Sequence, residues 1–180
     1  LTVVVKSKAA MRRRAIRTSG RAFTVVELLA VLLIIGALTS VALPRFASLT
    51  GAVYHARISA TVAAFDSGIR FARLSCILAS WANRDNLPGY AGGVVDFNTN
   101  CYPTDTTGNA NTIGNNAARC VNVWKGILEQ APSIATTGAS TDFRATAQGN
   151  RCTYVFLLDR TRTRQFVYDA VTGSLTVTNP

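Results

Sequence analysis

The sequence predicts an α+β protein: one long N-terminal helix, apolar in its first half and amphipathic in its second, packed on a C-terminal antiparallel β-sheet head. An apolar run, "FTVVELLAVLLIIGALTSVAL", fills residues 23–43. A stripe of Ile58, Val62, Phe65, Ile69, Ala72 and Cys76 then steps by 4, 3, 4, 3 and 4 residues, the period of a helix buried on one side. Three C-terminal segments alternate apolar and polar residues, the period of a half-buried strand.

The first 22 residues hold Lys6, Lys8, Arg12, Arg13, Arg14, Arg17 and Arg21 and no acid. The 180-residue chain has a formal charge of +10, so most of the excess sits in this leader. The other cations are scattered along the sequence, with no aromatic-interleaved basic stripe, which argues against a nucleic-acid partner. Residue 1 is Leu, and Met11 would open a shorter leader, MRRRAIRTSGRA. The first ten residues therefore read as an over-extended start or a non-standard start codon.

The run from Phe23 to Leu43 would span about 31 Å as a helix at 1.5 Å per residue, the thickness of a bilayer core. Cations before it and few after it predict a cytoplasmic N-terminus and an exported C-terminus. Glu27 is the one acid in the run. At mid-helix such an acid costs roughly 2.5–3.5 kcal/mol on insertion scales. Four residues into the helix, it would snorkel part of the way to the interface. Pro44 removes one backbone hydrogen bond, so a kink or local melting is expected there.

Past Pro44 the helix is expected to continue to about Trp81, with Arg57, Asp66, Arg70 and Arg73 off its apolar stripe. "NRDNLPGYAGG" (83–93) is a turn-rich exit, and "VVDF" has the character of a short strand. Residues 103–119 are poor in apolar side chains and read as a surface loop. "CVNVWKGILEQAP" (120–132) places Val123, Trp124, Ile127 and Leu128 at helical spacing. Residues 135–150 again read as polar loop. "CTYVFLLD" (152–159) sets Tyr154, Phe156 and Leu158 on one face, "TRQFVYDA" (163–170) sets Phe166 and Tyr168, and "SLTVT" (174–178) sets Leu175 and Val177. The short links "RTR" and "AVTG" predict an antiparallel meander. The chain thus divides into a leader (1–22), a transmembrane half-helix (23–44), an amphipathic half-helix (45–82) and an α+β head with loops (83–180).

Four cysteines, Cys76, Cys101, Cys120 and Cys152, would lie on the exported side, where disulfides persist. None is in a CxxC pair, and spacing alone leaves all three full pairings open. Cys76 falls on the buried stripe, where it would serve as a small hydrophobe. Joined to Cys101, it would tie the exit loop back to the helix.

Few residues carry chemistry. "DFNTN", Asp96 to Asn100, begins like a calcium loop, but Cys101 stands where glycine is needed and Thr107 where glutamate is needed. A polar turn with Asx hydrogen bonds is the plainer expectation. His55, the one histidine, reads as solvated surface, and Asp142, Asp159 and Asp169 read as isolated in loops or turns. No nucleophile–base set, metal quartet or phosphate loop is present, so the reading is of a non-enzyme without cofactor or metal.

"FTVVELLAVLLIIGALTSVALPRF" resembles the N-terminus of type IV pilins and of type II secretion pseudopilins. In that family a short basic leader ends just before an aromatic residue. A glutamate follows at the fifth mature position, and a proline commonly at the twenty-second. Counted from Phe23, Glu27 is fifth and Pro44 twenty-second. The resemblance implies prepilin peptidase cleavage between Ala22 and Phe23 and N-methylation of Phe23. It also implies an assembly contact between Glu27 and the Phe23 amine of a neighbouring subunit. The family usually has glycine where this chain has Ala22, which is small enough to be accepted at a slower rate.

"HARISATVAAFDSGIRFAR", "VVDFNTNCYPT", "CVNVWKGILEQAPSI" and "CTYVFLLD" followed by "FVYDAVTGSLTV" resemble the mannose-sensitive haemagglutinin branch of type IV pilins. In that branch two cysteines flanking the tryptophan helix and the sheet form a disulfide, and Cys120 and Cys152 match those places. Cys101 stands where that branch has glycine.

The function implied is structural: a filament subunit for surface adhesion or motility. Its partners would be itself, other pilins, prepilin peptidase, the inner-membrane assembly machinery and inner-membrane lipid. It would sit in the inner membrane as a single-pass precursor, then in a periplasm-spanning or cell-surface fibre. The chief alternative is a pseudopilin of a type II secretion system. Three others are a signal peptide cut after "SVA" (40–42) that releases a domain starting at Leu43, an uncleaved single-span anchor, and a non-assembling binding module.

Overall fold

The computed structural model describes residues 24–108, 110–138 and 140–179. It is an α+β structure with an N-terminal apolar helix and a C-terminal β-sheet. Contacts divide the chain into two units, Leu1–Pro44 and Arg45–Pro180. The first helix, α1, is Val25–Leu78, and it stays helical through Pro44. Local melting is therefore not found at that residue. A single missing N–H costs one bond, which the helix on either side tolerates.

In the first unit, the window Val25–Ala42 is 18 residues long with a mean hydropathy of 2.5, and none of it is buried. Its hydroxyls turn back on the helix: Thr39 Oγ1 donates to the Gly36 carbonyl at 3.0 Å and Ser40 Oγ to the Ala37 carbonyl at 2.8 Å. This leaves an apolar outer surface around satisfied polar groups.

In the second unit, the rest of α1 buries Ile58, Phe65, Ile69, Ala72 and Cys76, with Val62 half-buried. After the exit turns come two short strands, β1 (Asp96–Phe97) and β2 (Pro103–Asp105), paired antiparallel. Helix α2 is Ala117–Ile127. It begins three residues before the predicted start, because the Asn116 side chain caps it by accepting the Ala118 N–H at 3.0 Å. The main sheet has the order β3-β4-β5-β6-β7. Its strands are β3 (Ile134–Ala135), β4 (Phe143–Gln148), β5 (Arg151–Phe156), β6 (Arg164–Asp169) and β7 (Leu175–Thr178).

The sheet departs from the antiparallel expectation. The pairs β4–β5, β5–β6 and β6–β7 are antiparallel, but β3 pairs parallel with β4 over two residues. Ser133 and Asp142 fix that short pairing, with the Asp142 N–H donating to Ser133 Oγ at 2.9 Å and the Ser133 N–H to Asp142 Oδ2 at 3.3 Å. Residues 135–150, expected as loop, contain β4. Its inward face is Phe143, Ala145 and Ala147, where two alanines carry too little hydrophobicity to signal a strand. Residues 103–119 are likewise not a plain surface loop: Thr104, Asp105 and Ile113 are buried. Leu158 does not share the core face of β5; the strand ends at Phe156 and Leu158 is exposed.

The core centres on Phe65. Its ring meets those of Trp124, Tyr154, Phe166 and Tyr168 at centroid distances of 5.8, 5.3, 5.6 and 5.7 Å. The polar tips of these residues are satisfied: Trp124 Nε1 donates to the Pro132 carbonyl, Tyr154 to the Cys120 carbonyl and Tyr168 to the Pro103 carbonyl, each at 3.0 Å. A smaller cluster of Ala72, Cys76, Leu87, Val95, Phe97 and Cys101 lies under the exit segment. At Gly68 a Cβ would strike Ile127, so glycine lets α1 and α2 approach closely.

Candidate functional site

Two features of the chain are candidates for function: the start of α1 and the disulfide-stapled second unit. Ala22 and Phe23, the predicted cleavage and methylation residues, lie outside the described residues.

Glu27 has a defined local role. Glu27 Oε2 accepts the Thr24 N–H at 3.1 Å and the Thr24 hydroxyl at 3.3 Å, while the Glu27 N–H donates to Thr24 Oγ1 at 3.2 Å. The Leu28 N–H donates to the Thr24 carbonyl at 3.1 Å. This is a reciprocal capping box, with Thr24 as N-cap and Glu27 three residues on. It satisfies donors that apolar surroundings would leave orphaned. The pattern T-x-x-E stands in "TVVE", Thr24 to Glu27. Among the described residues, Glu27 Oε1 accepts nothing, so the carboxylate keeps one oxygen for an outside donor.

Around that cap, Val25, Val26, Leu28 and Leu29 are all exposed, and the apolar surface continues to Val41. No single face is polar, unlike the surface helix of a soluble domain. The window would span about 27 Å at 1.5 Å per residue. By length and composition it can serve as a membrane anchor or as a signal sequence. Pro44 follows the window, within the helix.

The structure joins Cys120 to Cys152 and Cys76 to Cys101. The first bond links α2 to β5. The second links the last turn of α1 to the segment before β2. With Cys120 and Cys152 separated by 32 positions in sequence, the chain-entropy estimate of the first bond is about 3–4 kcal/mol. The double replacement Cys120→Ala, Cys152→Ala is expected to lower unfolding free energy by about that amount in urea titration. An unchanged midpoint would show that the bond constrains nothing.

The other sequence candidates find structural partners. In "DFNTN", Asp96 Oδ1 accepts the Asn86 N–H at 3.0 Å and Asp96 Oδ2 the Ala110 N–H at 3.4 Å, while Asn98 Oδ1 accepts the Asn100 and Tyr102 N–H groups at 2.9 Å. These side chains pin loops, as an Asx turn does. Burial pushes the Asp96 carboxyl up, against the pull of its backbone donors. His55 is exposed.

The three aspartates read as isolated are not. Asp142 pairs with Arg57 at 2.9 Å, Asp159 with Arg164 at 2.7 Å and Asp169 with Arg151 at 2.9 Å. Each partner is distant in sequence or across a turn, which spacing did not reveal. Hydrogen bonds from the Thr161 hydroxyl and from Arg164 hold the Asp159 carboxyl well below the usual carboxylate range. Burial raises the Asp169 carboxyl, but the Arg151 hydrogen bond and the Val171 and Thr172 amides outweigh it, and the net shift is downward. A depressed carboxyl contributes stability that is complete above its unfolded value, near 4. That contribution is lost as pH falls toward the folded value. Melting temperature should therefore drop below about pH 4, and drop less steeply in Asp159→Asn. Parallel acid titrations of the two proteins would refute a role for Asp159.

Comparison with family models, with curated proteins and with solved structures returns no significant match to this chain.

Proposed function

We propose that this chain is a subunit of a type IV pilus-like filament, made as a membrane precursor and polymerised through α1. The observation that carries the reading is the exposed apolar window Val25–Ala42, opened by Glu27 and running on in one helix into a disulfide-stapled α+β unit. An apolar window left unburied among the described residues needs lipid before assembly and neighbouring helices after it. In the proposed filament Glu27 faces the methylated amine of Phe23 from the next subunit. Contacts of this head-to-tail kind do not close, and they build a fibre. The helix continuing past residue 42 favours this over release of a domain at Leu43.

The same features fit a pseudopilin of a type II secretion machine, and the neighbouring genes discriminate the two. Mass spectrometry of the mature N-terminus tests the proposal. A methylated Phe23 is the expected result, and a mature chain starting at Leu43 rejects it.

A further inference from the structure

Cations that look scattered along the sequence are gathered by the fold at one turn. The β5–β6 connection, residues 157–163, forms a shallow cleft of about 290 Å³ with β4. Arg144, Arg160 and Arg162 line it, all three exposed. Among the described residues none of the three has a carboxylate partner. In the same unit Arg57, Arg70, Arg119, Arg151 and Arg164 each have one. The cleft's one acid is already engaged: Asp159 accepts from the Thr161 N–H and hydroxyl, the Arg162 N–H and Arg164 Nε. It shapes the turn and leaves the three guanidiniums uncompensated. Three forked donors around one cleft fit the oxygens of a phosphate group.

The position of the turn in its unit selects the source of that phosphate. Phe156, where β5 runs into the turn, meets the Tyr54 ring at a centroid distance of 5.7 Å, and the Arg57 guanidinium lies 5.9 Å from the Phe156 ring centre. Tyr54 and Arg57 belong to the first turns of α1 in the second unit, which begins at Arg45. Tyr54 follows the apolar window Val25–Ala42 by only twelve residues. A short tether to a bilayer keeps the local concentration of headgroups high at such a cleft, and anionic leaflets attract basic segments within a Debye length.

We infer that Arg144, Arg160 and Arg162 form a docking site for the phosphates of anionic phospholipid headgroups, holding the second unit on the membrane surface before assembly. This rests on the reading of Val25–Ala42 as membrane-inserted.

Hydrogen exchange on the full chain in vesicles tests it. Amides of residues 160–163 should exchange at least about threefold more slowly in phosphatidylcholine–phosphatidylglycerol vesicles than in phosphatidylcholine alone. Raising salt to about 1 M should abolish the difference, because the Debye length falls to about 3 Å. The triple variant Arg144→Gln, Arg160→Gln, Arg162→Gln should lose the protection, and Lys125→Gln, which removes a charge elsewhere, should keep it. Equal exchange in both bilayers by a chain that resists carbonate extraction overturns the inference alone. A chain released by carbonate overturns both it and the membrane reading. Equal protection of detergent-solubilised chain by inorganic phosphate, or protection by duplex DNA but not by vesicles, overturns the lipid as ligand. Loss of protection in Lys125→Gln overturns the site in favour of net charge.

Discussion

Glu27→Val is expected to leave membrane insertion intact and to cut filament yield by at least about tenfold. Removing one member of a desolvated ion pair costs about 3–5 kcal/mol, and each 1.4 kcal/mol is about tenfold in an equilibrium constant. The capping box supplies a rival explanation for the same residue. Loss of a cap costs about 0.5–2 kcal/mol of local helix stability. Glu27→Gln separates the two roles, because glutamine also serves at the third helical position of a capping box but carries no charge. If the charge pair governs assembly, Glu27→Gln should assemble as poorly as Glu27→Val. Pelleting of sheared filaments and immunoblotting reads both variants. Wild-type yield from Glu27→Gln would reduce Glu27 to a cap, and wild-type yield from Glu27→Val would end its role in assembly.

Phe65→Ala is expected to destabilise the second unit by about 3–5 kcal/mol, the range for emptying a large aromatic from a packed core. The site is poorly placed to collapse, since four aromatic rings surround it at 5.3–5.8 Å and three of them are tied at their polar tips. Against a total stability of about 5–15 kcal/mol for an ordinary domain, that is a large share. Phe65 also joins α1 to the sheet, so the loss should appear as looser packing of the helix on the head. Urea unfolding followed by near-ultraviolet circular dichroism measures it. His55→Ala, an exposed change on the same helix, should shift stability by less than about 0.5 kcal/mol. Similar midpoints for the two variants would remove Phe65 from the centre of the core.

Legibility in the sequence followed side-chain size. The stripe from Ile58 to Cys76 announced α1 because large apolar residues recur at helical spacing, and Tyr154, Phe156, Phe166 and Tyr168 announced β5 and β6 the same way. Strand β4 was hidden because its inward residues after Phe143 are alanines. Its hairpin signal was nevertheless present: Gly149 and Asn150 join Gln148 to Arg151, with Gly149 at φ 58°, and such two-residue loops specify a β-hairpin. The parallel β3 could not be read, because two paired residues leave no periodicity. At the candidate site, Glu27 stands out as the one charge in an apolar run, whereas its partner Thr24 is an ordinary polar residue beside it. The basic cleft was invisible for another reason: Arg144 is brought to Arg160 and Arg162 only by strand pairing, a distance in sequence that no motif spans.

The Cys76–Cys101 bond has a mechanical consequence. In a fibre, tension carried along α1 would load the exit segment at the helix end, Leu78. Without a crosslink, the exit segment could be drawn out there. The bond closes 25 residues of sequence, a length that would pay out roughly 80–90 Å of slack at 3.3–3.6 Å per residue. With the bond in place that hidden length is unavailable, and force passes from helix to head through a covalent shortcut. The subunit would then behave under load as a short, stiff link.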